Sequence, residues 1–151
     1  MQREAIYSAL FAKLTALTEG GSPLFKTATR KVKTWEDVPP EDSPALLLKA
    51  DRERQLREIN RPTKWEFDTA VLLYVHTGAQ NDSTIVPNQV LNPLLDAIGA
   101  CLPVDDQVRG ACTLGGLVYS AAINGDIQIF LGSLGDEAVA VIPMRIITVG
   151  D

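Results

Sequence analysis

Ile6, Leu10, Leu14 and Leu17 return at three- and four-residue steps, which predicts an amphipathic helix over residues 3–17 with Arg3, Glu4 and Lys13 toward water. Gly20-Gly21 is the expected stop. A strand is expected over residues 25–35, where Lys26, Ala28, Arg30 and Val32 alternate with Phe25, Thr27, Thr29 and Lys31. Neither of its faces is continuously apolar, so the reading places it at a sheet edge or against another subunit. Residues 36–44 hold three prolines and four acids and cannot continue a ladder. Residues 45–50 are nearly all apolar, as in a short strand covered on both faces. Residues 51–62 alternate charges around Leu56 and Ile59 with no clear period. They are expected to form a mobile interaction loop spanning 51–63.

Residues 64–77 give the clearest strand. Trp65, Phe67, Thr69, Val71, Leu73 and Val75 share one face, while the other turns from Glu66 and Asp68 to Ala70, Leu72 and Tyr74. A second helix is expected over residues 86–102, striped by Val90, Leu91, Leu94, Leu95, Ile98 and Leu102, with Asp82 or Ser83 as cap and a kink at Pro93. Asn124-Gly125-Asp126 predicts a hairpin joining residues 117–123 to 127–131. A last strand over residues 138–149 carries a break or an edge at Pro143. The order of elements lacks regular βαβ alternation. It indicates one α+β domain over residues 1–151, with an antiparallel or mixed sheet and two main helices packed on one face.

Composition narrows this picture. The chain has 151 residues, 46% of them hydrophobic and 22% charged, as in an ordinary globular domain. No run of about 18 apolar residues is present, so a membrane span is excluded. The amino terminus does not read as a signal core, and the protein is expected to stay in the cytoplasm where it is made or in a particle it joins. Cys101 and Cys112 match neither a redox pair nor a zinc knuckle and read as buried thiols. The net charge of −5 is unevenly spread. Residues 1–75 hold twelve basic and eleven acidic side chains, and residues 76–151 hold two and eight. Such a division suits head-to-tail association between copies, and equally well two solvated faces.

Catalytic chemistry finds no motif. His76 is the single histidine and lacks a second imidazole for a metal site. There is no G-x-S-x-G elbow, no phosphate loop and no G-x-G-x-x-G. The acid pairs Glu36-Asp37, Glu41-Asp42 and Asp105-Asp106 fall in expected loops, where solvated charge is ordinary. No enzyme, cofactor or metal is expected. The basic residues Arg52 to Lys64 could meet nucleic-acid phosphate, but Asp51, Glu53 and Glu58 interrupt them, which fits incidental contact with DNA better than sequence reading.

Several segments resemble one family. They are Arg3-Glu4-Ala5-Ile6-Tyr7 with Leu10-Phe11, Phe25-Lys26 through Arg30, Trp35, Pro39-Pro40 and Pro44-Ala45-Leu46. To these add Leu91-Asn92-Pro93-Leu94-Leu95-Asp96-Ala97-Ile98, Thr113-Leu114-Gly115-Gly116-Leu117-Val118-Tyr119 and Val141-Ile142-Pro143. Together they resemble the tail terminator (tail completion, minor tail protein) family of long-tailed bacteriophages. The resemblance implies an α+β virion subunit in a six-membered ring. That ring would cap the head-proximal end of the tail tube, end polymerisation and dock the head–tail connector. Its partners would be further copies, the tube protein and the connector, with non-specific DNA contact in the lumen. Lys26, Arg30, Lys33, Trp35, Arg52, Arg54, Arg57 and Arg61 are the expected interface residues. The alternatives are a neck or head–tail joining protein of similar fold, and a small-molecule-binding domain using His76.

Overall fold

A computed structural model describes residues 1–77, 86–131 and 136–150. Helix α1 (Arg3–Thr15) buries Ile6, Tyr7, Leu10 and Leu14, the stripe its periodicity requires. It ends two residues short of the expected point. Gly20 and Gly21 do not stop it. Their φ values of 60° and 83° instead make the turn of a small hairpin between β1 (Thr18–Glu19) and β2 (Ser22–Pro23).

Six further strands build one sheet in the order β3-β4-β5-β8-β6, with β7 also on β8. They are β3 (Thr27–Thr29), β4 (Ala45–Leu56), β5 (Lys64–His76), β6 (Ser120–Ile123), β7 (Gln128–Leu131) and β8 (Glu137–Val149). β3 lies parallel to β4 and every other pairing is antiparallel, so the sheet is mixed and the fold is α+β. Only three residues of the strand expected over 25–35 pair. Beyond them the chain crosses the sheet as two 3-10 turns, Trp35–Asp37 and Pro40–Asp42, and Val38 packs on Ala45, Leu47 and Tyr74.

β4 corrects the sequence reading most. Residues 51–56 form no loop; they extend this strand against Lys64–Asp68 of β5. The register shifts between Ala50 and Arg52, which marks a bulge. Before the bulge even-numbered β4 residues (Leu46, Leu48) face the core, and after it odd-numbered ones do. That change of parity erased the period-two signal. The true connection is the short turn over residues 57–63.

Helix α2 (Pro87–Gly99) runs through Pro93 and buries Leu91, Leu94 and Ile98. Its cap residue is Val86, whose N–H donates to Gln89 Oε1 at 3.0 Å. The cap candidates Asp82 and Ser83 lie outside the described residues. Both helices cover one sheet face, over Phe67, Val71, Leu73, Ala140, Ile142, Met144 and Ile146. Tyr7 meets the ring of Phe67 edge-on, with centroids 6.0 Å apart.

The hairpin expected at Asn124-Gly125 is absent. β6 and β7 do not pair with each other but lie end to end along β8. The break between them sits opposite Pro143, whose carbonyl accepts the Asn124 N–H at 2.9 Å. Gly125 has φ of 116°, and a Cβ there would stand 3.2 Å from Pro143 Cγ, so the two residues fit by the absence of a side chain. The interruption signalled by Pro143 thus falls in its neighbour, and β8 itself is continuous.

Cys101 and Cys112 are both buried and unbridged. Burial, reinforced by Cys112 nearby, pushes the Cys101 thiol up to about 11. Both thiols, being buried, should resist alkylation in native protein at about pH 8 and react fully once unfolded, Cys101 the more so because the thiolate is the nucleophile. Rapid labelling of two native thiols in a mass-resolved assay would contradict this placement.

Candidate functional site

The helices leave the opposite face of the sheet open from the bulge outward. Cross-strand register puts Arg52, Asp68 and Arg145 in one row and Arg54, Glu66 and Ile147 in the next. Asp68 accepts from Arg52 at 2.7 Å and from Arg145 Nε at 2.9 Å, which ties three adjacent strands together. Glu66 faces Arg54 at 4.0 Å and Lys64 at 3.5 Å.

Partial burial pushes the Asp68 carboxyl upward, but hydrogen bonds from Arg145 and Arg52 outweigh it and hold the group below its ordinary 3.8. Its contribution is therefore complete above that ordinary value and disappears as pH falls through the lower, folded one. Asp68→Asn should cost about 1 kcal/mol at neutral pH, kept modest because solvent screens the arginines. The difference from wild type should narrow in urea unfolding as pH falls below 3.8 and Asp68 takes up its proton. A gap unchanged between about pH 7 and pH 2 would contradict the pairing.

The eight basic or aromatic residues expected at an interface are dispersed. Arg30 reaches back to Glu4 of α1 at 2.5 Å and lies over the Tyr7 ring. Arg52 and Arg54 are paired on the open face, and Arg61 pairs with Glu58 at 2.9 Å. Lys26, Lys33 and Arg57 are exposed, with no ion pair among the described residues. The Lys33 carbonyl accepts the Tyr74 hydroxyl at 2.8 Å. Trp35 starts a 3-10 turn at the far end of the sheet and lines a small cavity with Val38 and Tyr74. Arg30, Arg52, Arg54 and Arg61 thus compensate acids of their own chain, and the expected residues do not form one positive arm.

The acid pair Asp105-Asp106 serves the backbone. Asp105 accepts the N–H of Gly115 at 3.0 Å, the N–H of Thr113 at 2.6 Å and its hydroxyl at 2.8 Å, which hold its carboxyl below the usual range. Asp106 binds Arg109 at 2.6 Å.

Sequence reasoning missed the feature with the most to say about association. β7 is an outer strand, and among the described residues it pairs with β8 alone. Ile129 is 43% exposed, Phe130 55% and Leu131 62%. Edge strands that are apolar and uncovered are templates for pairing with another chain. The run Ile127-Gln128-Ile129-Phe130-Leu131 was the available signal, hidden by the expectation that a hairpin partner would shield it.

No family model matches the chain, and no curated protein matches it. Solved structures do match: one chain of unstated function is 19% identical, with 97% of this chain and 92% of that one covered, at a TM-score of 0.45. A likeness that loose bears on no functional question.

No helix among the described residues is long and apolar enough to cross a membrane.

Proposed function

We propose that this chain is a non-catalytic structural subunit of a long-tailed bacteriophage, of the tail terminator kind. Copies close into a ring, six-membered by the resemblance. The ring caps the head-proximal end of the tail tube, stops its growth and presents a docking surface to the head–tail connector. Its place is the virion, after synthesis in the host cytoplasm. The observation that carries the reading is the uncovered apolar edge, Ile129-Phe130-Leu131, on a sheet whose charged rows pair within the chain. Burying that edge against a different surface of the next copy is a heterologous contact, and such contacts form rings when the rotation closes. The resemblance motifs supply the phage context. Among the described residues Lys13, Lys26, Lys31, Lys33 and Arg57 are in no ion pair, and they are the cations left to meet tube, connector or passing DNA.

Electron microscopy of the purified protein mixed with tail tubes of the same phage tests the proposal. Rings seated on one end of each tube, with tube growth halted, are the expected result. Bare tube ends that continue to elongate would overturn it.

A further inference from the structure

At the end of the sheet remote from the charged rows, three potential ligands converge. His76 closes β5, Glu137 opens β8 directly opposite it, and Asp136 precedes Glu137. His76 Nε2 lies 3.3 Å from Glu137 Oε1. One ligand atom from each of the three residues falls within 4.8 Å of the others. Asp136 is anchored by its carbonyl, which accepts both the N–H of Thr77 at 2.7 Å and the Thr77 hydroxyl at 3.1 Å. One further feature points to a cation here. Asp136 Oδ1 has less than 1 Å² exposed and no hydrogen-bond partner among the described residues, an arrangement that costs free energy unless positive charge compensates it. A cavity of about 20 Å³ touches His76 and Glu137 but not Asp136, and its other walls, among them Trp35, Val38, Val75 and Val139, are mostly apolar.

We propose that His76, Asp136 and Glu137 bind one divalent transition-metal ion of the zinc type. An imidazole nitrogen favours such ions over magnesium or calcium, and two carboxylates disfavour soft monovalent copper. Tetrahedral zinc with bonds of about 2.0–2.2 Å holds its ligand atoms about 3.4 Å apart, so the longest separation here closes by small side-chain rotations. Three protein ligands leave a fourth position for water. The ion would clip the end of β5 to the start of β8 beside the segment that carries Trp35. This site is independent of the ring reading and would stand if that reading failed.

Calorimetric titration of the chelator-treated full chain with zinc chloride, and separately with magnesium chloride, decides the matter. Wild type should take up one zinc per chain and melt at a higher temperature with it, and magnesium should do neither. Asp136→Asn, which keeps the His76–Glu137 pair, should weaken zinc binding by at least about tenfold, and His76→Ala should abolish it with circular dichroism unchanged. If His76→Ala fails to fold, Asp136→Asn alone decides. Absence of stoichiometric zinc binding by wild type, or binding by Asp136→Asn as tight as wild type, would overturn the proposal.

Discussion

Phe67→Ala should cost about 3–5 kcal/mol, enough to leave a domain of ordinary stability marginal or unfolded. The side chain is fully buried in the first half of β5, the strand that pairs with both β4 and β8. It meets Tyr7 edge-on and thereby couples α1 to the sheet. Removing the ring leaves a cavity between layers that neither neighbouring strand can close, since both are held in register along most of their length. Urea unfolding followed by circular dichroism measures the effect. Val108→Ala makes the matching control, because Val108 is 97% exposed and its truncation should be near neutral. A loss below about 1 kcal/mol at Phe67 would mean that the two helices do not rest on this strand.

Phe130→Asp should abolish assembly and leave the monomer's stability within about 0.5 kcal/mol of wild type. Its ring is more than half exposed, so folding gains little from it. A buried subunit contact, by contrast, would have to desolvate the new carboxylate, at a cost that a weak repeating contact cannot absorb. Light scattering and electron microscopy in the presence of tail tubes report the assembly, and thermal melting reports the fold. Rings formed as readily by the variant as by wild type would remove β7 from the interface.

The parts of this fold that announced themselves in the sequence are those in which one rule acts alone. β5 carries an unbroken period of two from Trp65 to Val75, and α1 keeps a clean stripe from Ile6 to Leu14. The short apolar stretch that begins β4 was also readable, because Leu46 and Leu48 enter the helix-covered core while Ala45 and Leu47 are covered by Val38 on the other side.

Elsewhere two rules compete. The bulge near Asp51 reverses the parity of β4, so Arg52 and Arg54 read as an aimless charged loop until Asp68 and Glu66 are placed across from them. Asn124-Gly125 has the chemistry of a hairpin turn, but the neighbouring constraint is Pro143 on a strand distant in sequence. Gly20-Gly21 could end a helix or turn a hairpin, and the pairing of Thr18 with Pro23 and Glu19 with Ser22 selects the latter. For the candidate surfaces the deficit is similar. Charge along the chain located the arginines but not their intramolecular acids. The exposure of Ile129, Phe130 and Leu131 depends on which strand becomes the sheet's edge. The closeness of Asp136 to His76 depends on a register sixty residues apart.

The contact made by β7 in an assembled particle is the most direct measurement, by cryo-electron microscopy of the ring on its tube. The account predicts Ile129, Phe130 and Leu131 buried against a neighbouring copy. A map with this strand facing solvent in every subunit would contradict it.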